Sequence, residues 1–223
     1  MISCAINSTD DGDEESTRLF EQIAQNILQN GYSIHPGALP LKLTNQLLAH
    51  VQGLPEAEYQ SAGIGREQAY NLNSFVRSDE VCWINGATEA EKNWLNWAAG
   101  LQKYLNRHLL LGLFSFESHF AHYAPGCFYK KHKDAFKGET NRILSLVIYL
   151  NRGWQLNEGG ELIIYSTDDG PDSLRVTPGF GTIVVFLSED FPHEVLPASR
   201  DRHSIAGWFR VNSSSPQRVD PPL

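Results

Sequence analysis

His132-Lys133-Asp134 is the segment with the clearest capacity for chemistry. It closes a run, 128–134, whose composition predicts a β-strand. In a strand, residues two apart project from the same face. One imidazole and one carboxylate then point together, with Lys133 turned away. A tripeptide of this kind is common, so the reading needs a third ligand from a distant strand. His193, in Phe191-Pro192-His193-Glu194-Val195, opens another predicted strand. Two histidines and one carboxylate on a face of an octahedron leave three positions open. That is the arrangement by which a non-heme Fe(II) oxygenase takes up a cosubstrate and oxygen together. Arg202 lies farther along the same stretch. A guanidinium at the far end of a pocket suits two-pronged binding of a carboxylate such as the distal end of 2-oxoglutarate. On charge alone Arg200 is an equal candidate.

These residues need a scaffold that brings distant strands together. From residue 113 onward the chain reads as eight short β-rich runs, at 114–123, 128–134, 143–151, 161–165, 174–177, 182–187, 193–197 and 203–211. Gly126, Gly153, Gly159-Gly160, Gly170-Pro171 and Pro178-Gly179 mark the breaks. Strands at this spacing predict a sandwich or jelly-roll barrel. Upstream, Ser16 or Thr17 is the expected cap of a helix reaching Asn30, with Gly31 as its stop. A short strand at 32–35 and a helix at 41–52 follow. Residues 53–75, rich in Gly, Ser, Asn and Gln, read as a long loop, a length usual for functional loops. A strand at 81–84 precedes a helix opened by a Thr88/Glu91 capping box, with Trp94, Trp97, Leu101 and Leu105 on its apolar face. The expected fold is α+β: a double-stranded β-helix (jelly-roll) core with the N-terminal helices packed on one sheet. The expected organisation is a flexible acidic N-terminus at 1–15, a helical support region at 16–112, the core at 113–212 and a C-terminal tail at 213–223.

Composition narrows the function. The chain has 223 residues, 41% of them hydrophobic and 20% charged, an ordinary globular mixture. Its net charge of −8 argues against bulk binding of nucleic acid, which needs a basic face. No apolar run approaches the ~20 residues that span a bilayer, and no signal-like segment opens the chain. Three cysteines without a C-x-x-C pair support neither a disulfide framework nor a zinc ribbon. A cytoplasmic location is expected. No G-x-S-x-G elbow supports a serine hydrolase. His119 and His122, three apart, should face opposite sides of a strand and read as structural or exposed. His203 should point away from Arg202, and Cys127 reads as a small turn residue.

The wider pattern is Tyr123-x-x-Gly126-x-x-Tyr129-x-x-His132-x-Asp134, Tyr149-Leu150-Asn151, Gly159-Gly160-x-Leu162, Pro192-His193-Glu194-Val195-x-Pro197, Arg202 and Trp208. Together these resemble the Fe(II)/2-oxoglutarate-dependent dioxygenases, and within them the prolyl 4-hydroxylase branch of hypoxia-inducible-factor-type and bacterial enzymes. The resemblance covers about residues 75–211 and includes Val76-Arg77-Ser78-Asp79, similar to the segment after that branch's mobile substrate loop. It implies that His132, Asp134 and His193 hold the metal, and that Arg202, rather than Arg200, pairs with the distal carboxylate of 2-oxoglutarate. It implies a hydrogen bond from Tyr149 to that carboxylate, Tyr123 near the chelating end, and Leu162, Val195 and Trp208 as pocket walls. Substrate contacts are implied for Tyr129, Arg142, Arg77 and Asp79, although the spacing between Asp134 and Arg142 departs from the pattern by one residue.

The implied activity is hydroxylation of prolyl residues in a protein, with Fe(II), 2-oxoglutarate and O2, release of succinate and CO2, and ascorbate as reductant. Resemblance to bacterial prolyl hydroxylases suggests elongation factor Tu as a partner. Two alternatives remain at this point: the same iron chemistry on another side chain or a small molecule, and a catalytically silent jelly-roll binding module. Nucleic-acid repair dioxygenases usually carry a second arginine six residues beyond the first, where this chain has Trp208.

Overall fold

The computed structural model describes residues 10–62, 76–135, 141–166 and 172–212, with the side chains of 10–13 left aside. Three helices precede most of the strands. They are α1 (Asp10–Asn30), α2 (Leu41–Gly53) and α3 (Glu89–Leu109). The early strands are β1 (Tyr32–His35), β2 (Gln60–Ser61) and β3 (Glu80–Trp83). All eight expected later strands form: β4 (Leu113–Tyr123), β5 (Tyr129–His132), β6 (Arg142–Tyr149), β7 (Leu162–Tyr165), β8 (Ser173–Val176), β9 (Ile183–Leu187), β10 (His193–Val195) and β11 (Arg202–Val211).

The strands make two antiparallel sheets. A large one runs β1-β9-β6-β11-β4-β3-β2 and a small one runs β5-β10-β7-β8. Alternation along each strand separates two cores. Leu144, Leu146, Ile148, Ile205 and Phe209 pack with residues of all three helices on one face of the large sheet. Ala121, Tyr123, Tyr149, Val184 and Phe186 on its other face pack with Leu162, Ile164 and Val195 of the small sheet. Sandwiched between helices and a second sheet, the central strands read as near-continuous apolar runs. β9, Ile-Val-Val-Phe-Leu, is the clearest case.

The joint between α3 and β4 is polar as well as apolar. The Trp94 indole, fully buried, donates to Ser118 Oγ at 3.0 Å. At the start of α3 the Thr88 hydroxyl accepts from the Glu91 amide. Glu91 in turn accepts from the amides of Asn85, Gly86 and Ala87 at 2.8–3.2 Å. This satisfies donors that a helix start leaves orphaned.

Several expectations need correction. α1 begins at Asp10, so Ser16 and Thr17 lie inside the helix instead of capping it. Acidic residues near a helix start favour its positive end, which lets the helix extend back into the acidic stretch. Residues 1–9 of the expected tail lie outside the described residues, as does 213–223. The expected loop at 53–75 is structured at its start: residues Glu56–Glu58 form a 3-10 turn, and β2 pairs with β3. The rest of that loop, 63–75, lies outside the described residues. β5 ends at His132, so Asp134 sits in a bend beyond the strand. Among the described residues, no helix is long and apolar enough to cross a membrane.

Gly207 of β11 lies where the Phe116 ring crosses the sheet. An added Cβ would stand 2.6 Å from Phe116 Cζ and 2.9 Å from Ser118 Cβ. The Phe116 ring is itself held by Phe209 and Trp94, with centroids 4.5 and 5.9 Å away. Gly207→Ala should therefore lower stability by about 1–3 kcal/mol, the usual range for overpacking. Urea unfolding checks this, and an unchanged midpoint would contradict the packing described.

Candidate active site

Antiparallel pairing of β10 with β5 sets His193 directly opposite His132. The bend after β5 brings Asp134 back between them. Nε2 of His132 is 3.7 Å from Asp134 Oδ1, and Nε2 of His193 is 3.5 Å from Asp134 Oδ2. The three ligand atoms all lie within 4.8 Å of one another. Spatial convergence thus holds, although the shared strand face that predicted it does not.

Each imidazole is fixed through its other nitrogen. His132 Nδ1 lies 2.8 Å from the Lys130 carbonyl and His193 Nδ1 lies 3.0 Å from the Phe191 carbonyl. A carbonyl only accepts, so both Nδ1 atoms carry a proton, and both Nε2 atoms are turned toward Asp134. The Tyr129 ring stacks on His132 at 3.5 Å, and Phe186 meets His193 edge-on at 4.8 Å. Burial, with His193 nearby, pushes the pKa of His132 down to about 3 and keeps it neutral. Burial works against the Asp134 charge, but His193, His132, Arg142 and the Ser145 hydrogen bond outweigh it and hold the carboxyl well below its usual range. Two imidazoles with Nε2 turned inward and one carboxylate fit a divalent iron with open positions.

Asp134 is held from behind. Ser145 Oγ donates to Asp134 Oδ2 at 2.7 Å, and Ser188 Oγ lies 2.9 Å from Ser145 Oγ. Neither serine was anticipated from sequence. For Ser145 the signal was present in the alternation of β6, which puts it on the same face as Val147 and Tyr149.

Arg202 and Trp208, two of the residues expected to line a cosubstrate pocket, lie on β11. Arg202 is 1% exposed, an extreme burial for arginine. Its Nε donates to the Gly160 carbonyl at 2.9 Å and its Nη1 to Ser204 Oγ at 3.2 Å. Its Cζ lies 4.9 Å from the Tyr123 ring centroid and 5.0 Å from that of Tyr149. The Tyr149 hydroxyl is buried, and its proton has no acceptor among the described residues. Burial pushes its pKa up to about 12 against the pull of Arg202, and burial also raises Tyr123. Both phenols therefore stay protonated donors. A buried cation beside an unpartnered donor is what a carboxylate ligand would complete. Leu162, Val195 and Trp208 are all buried. Arg200 points elsewhere, to Glu158 at 3.3 Å, which separates it from its rival.

The residues implied for substrate form two stacked pairs. Arg77 Nε and Nη2 donate to the two Asp79 oxygens at 2.6 and 2.8 Å, and its Cζ lies 4.6 Å from the Tyr129 ring centroid. Burial opposes the Arg77 charge, but the bond to Asp79 outweighs it and raises the guanidinium pKa. Arg142 Cζ lies 3.6 Å from the Trp208 ring centroid, and its Nε and Nη2 donate to Glu117 Oε1 at 3.1 and 2.8 Å. Arg210 donates to the other Glu117 oxygen at 3.3 Å. Glu117 was also missed, though β4 alternation puts it in line with His119, Ala121 and Tyr123. His122 lies on the opposite face, stacked on His203 and 2.8 Å from Asp201. His119, expected to be structural or exposed, is buried with neither ring nitrogen hydrogen-bonded.

Comparison with known proteins agrees with this geometry. Residues 118–210 match the family described as the 2OG-Fe(II) oxygenase superfamily. A Pseudomonas putida prolyl-4-hydroxylase structure is 37% identical, with a TM-score of 0.78 over 86% of this chain and 99% of that one. A prolyl hydroxylase from Trichoplax adhaerens, solved with a hypoxia inducible factor peptide fragment, is 23% identical and shares the fold at a TM-score of 0.80, over 92% of this chain and 94% of that one. An uncharacterized PKHD-type hydroxylase of Synechocystis is 28% identical over 99 residues, 38% of this chain. The chain spans 33% of the length of that curated relative. By its matched residues and by these likenesses, the chain belongs to the prolyl hydroxylase branch of the 2OG-Fe(II) oxygenase superfamily.

Proposed function

We propose that this protein hydroxylates prolyl residues of a protein or peptide substrate, using Fe(II), 2-oxoglutarate and O2. The observation that carries the reading is the pairing of the His132/Asp134/His193 cluster with a buried Arg202 beside the unpartnered Tyr149 hydroxyl. That pairing favours a catalyst over a silent binding module, which would need neither. The two facing sheets with helices outside fit a double-stranded β-helix core at 113–212, with 16–112 as its support. A cytoplasmic site of action belongs to the same reading.

His132, Asp134 and His193 would hold the iron through Nε2, one carboxylate oxygen and Nε2. Loaded with 2-oxoglutarate and O2, that metal would supply an oxidative decarboxylation giving succinate and CO2, with one oxygen atom of O2 entering succinate and the other a substrate C–H bond. The protein's own contribution is placement. Arg202 and Tyr149 anchor the distal carboxylate, Tyr123 lies beside them, and Leu162 and Val195 exclude water from the stem. Ser145 and Ser188 hold Asp134 in one orientation. Tyr129, Arg77 with Asp79, and Arg142 over Trp208 form the side on which a peptide would lie.

The direct test is anaerobic loading with Fe(II) and 2-oxoglutarate, then oxygen, ascorbate and proline-containing proteins, with elongation factor Tu among them. Mass spectrometry should find succinate and a mapped hydroxyproline, and neither with Asp134→Ala. Succinate without hydroxyproline on any protein would overturn the substrate assignment. Arg202→Ala should raise the KM for 2-oxoglutarate at least tenfold while leaving iron affinity nearly unchanged. A main effect on peptide KM would contradict the pocket assignment. Ser145→Ala should weaken metal binding by about 10-fold or more, as loss of a ligand's supporting hydrogen bond does. Competition with a chelator measures this, and wild-type affinity in the variant would remove Ser145 from the site.

A further inference from the structure

His119 is 2% exposed, and neither of its ring nitrogens has a hydrogen-bond partner among the described residues. A neutral imidazole has one donor and one acceptor, and native structures seldom bury both unpaired. Alternation along β4 turns His119 to the face of Ala121 and Tyr123, which lies between the sheets. In register it stands opposite Trp83 of β3 and Ala206 of β11. Its ring centroid is 5.0 Å from that of Trp83 and 5.4 Å from that of Trp208. The Trp208 indole N–H is likewise buried without a partner. The Trp208 ring also carries the Arg142 guanidinium, 3.6 Å from the ring centroid, so His119 lies near that stacked arginine.

The unpartnered hydroxyl of Tyr149 is explained by a carboxylate beside Arg202. That end of the pocket does not explain His119 or the indole of Trp208, one strand pairing nearer the arginines. Their unmet valences are an indole donor, an imidazole donor and an imidazole acceptor. An extended peptide offers C=O and N–H groups in succession, which matches this set. A free amino acid would instead bring an ammonium and a carboxylate against a neutral ring walled by two indoles, and both charges would be left poorly solvated. Burial first, then Arg77 and Arg142, hold the His119 pKa down to about 3, so the ring stays neutral at ordinary pH. Trp83, edge-on to the His119 ring, is 51% exposed.

We infer that His119, together with the Trp208 indole, hydrogen-bonds main-chain amide groups of the substrate next to the reacting residue. This makes His119 a specificity-determining residue that selects a peptide over a free amino acid. The inference rests on the prolyl-peptide reading above.

The test compares wild type with His119→Leu, which keeps bulk without polarity, and His119→Gln, which restores a donor and an acceptor. The substrate is a terminally blocked proline peptide that the wild type hydroxylates. Leu should raise the peptide KM about tenfold with a smaller change in kcat, and Gln should recover most of that loss. Unchanged peptide KM in the Leu variant would overturn the inference alone, as would equal losses in Leu and Gln, which would mark a packing role. Wild-type protein that hydroxylates no peptide would overturn the functional reading and this inference with it. A second measurement does not depend on the variants folding. The Trp208 indole N–H resonance, in zinc-substituted wild-type protein with 2-oxoglutarate, should shift as the peptide is added. A resonance that stays fixed at saturating peptide would overturn the inference.

Discussion

β11 runs antiparallel between β4 and β6, and its register determines what the interior contains. Arg202, Ser204, Ala206 and Trp208 face inward, and Ile205 and Phe209 face the helices. A slip by one residue would exchange the two sets. Arg202 would leave its place between Tyr123 and Tyr149, and Trp208 would leave Arg142. The helical layer enforces the register, because the outward set packs against Leu101, Leu105 and Trp94. Filling that layer with apolar residues is thus what allows a guanidinium to be buried on the other side.

Burying charge in this interior has been solved by pairing. Arg77 is tied to Asp79, and Arg142 and Arg210 share Glu117. Asp134 lies between two imidazoles and under Ser145. Such pairs offset the cost of desolvation without adding much net stability, so their value lies in fixing direction. The groups left without partners are the informative ones. The Tyr149 hydroxyl, the Trp208 indole and both His119 nitrogens are on inward-facing positions of the large sheet, and none has a hydrogen-bond partner among the described residues.

Much of this was legible beforehand, and for identifiable reasons. Short β-rich runs separated by Gly and Pro pointed to every later strand. Apolar spacing and the Thr88/Glu91 pair gave α3. The convergence of His132, Asp134 and His193 was anticipated from residue types, although the stated reason, a shared strand face, was replaced by a bend after His132. The errors came where local preference was read without its context. Ser16 and Thr17 are good caps in isolation, but an acidic stretch suits a helix start and α1 runs through them. Gln60 and Ser61 read as loop because an edge pairing with β3 is a tertiary contact. Glu117 and Ser145 were overlooked, and His119 was read only as structural or exposed, because a lone polar residue in a strand gains meaning only when its cross-strand neighbours are known.

The central claim is that one interior holds both an iron and the 2-oxoglutarate chelated to it, through His132, Asp134, His193 and Arg202. Anaerobic optical titration tests it most directly, because chelation of ferrous iron by a 2-oxo acid produces a visible charge-transfer band. The account predicts that the band appears in the wild-type protein, is absent in Asp134→Ala, and needs much more 2-oxoglutarate in Arg202→Ala. A wild-type protein that takes up ferrous iron but shows no band at saturating 2-oxoglutarate would contradict it.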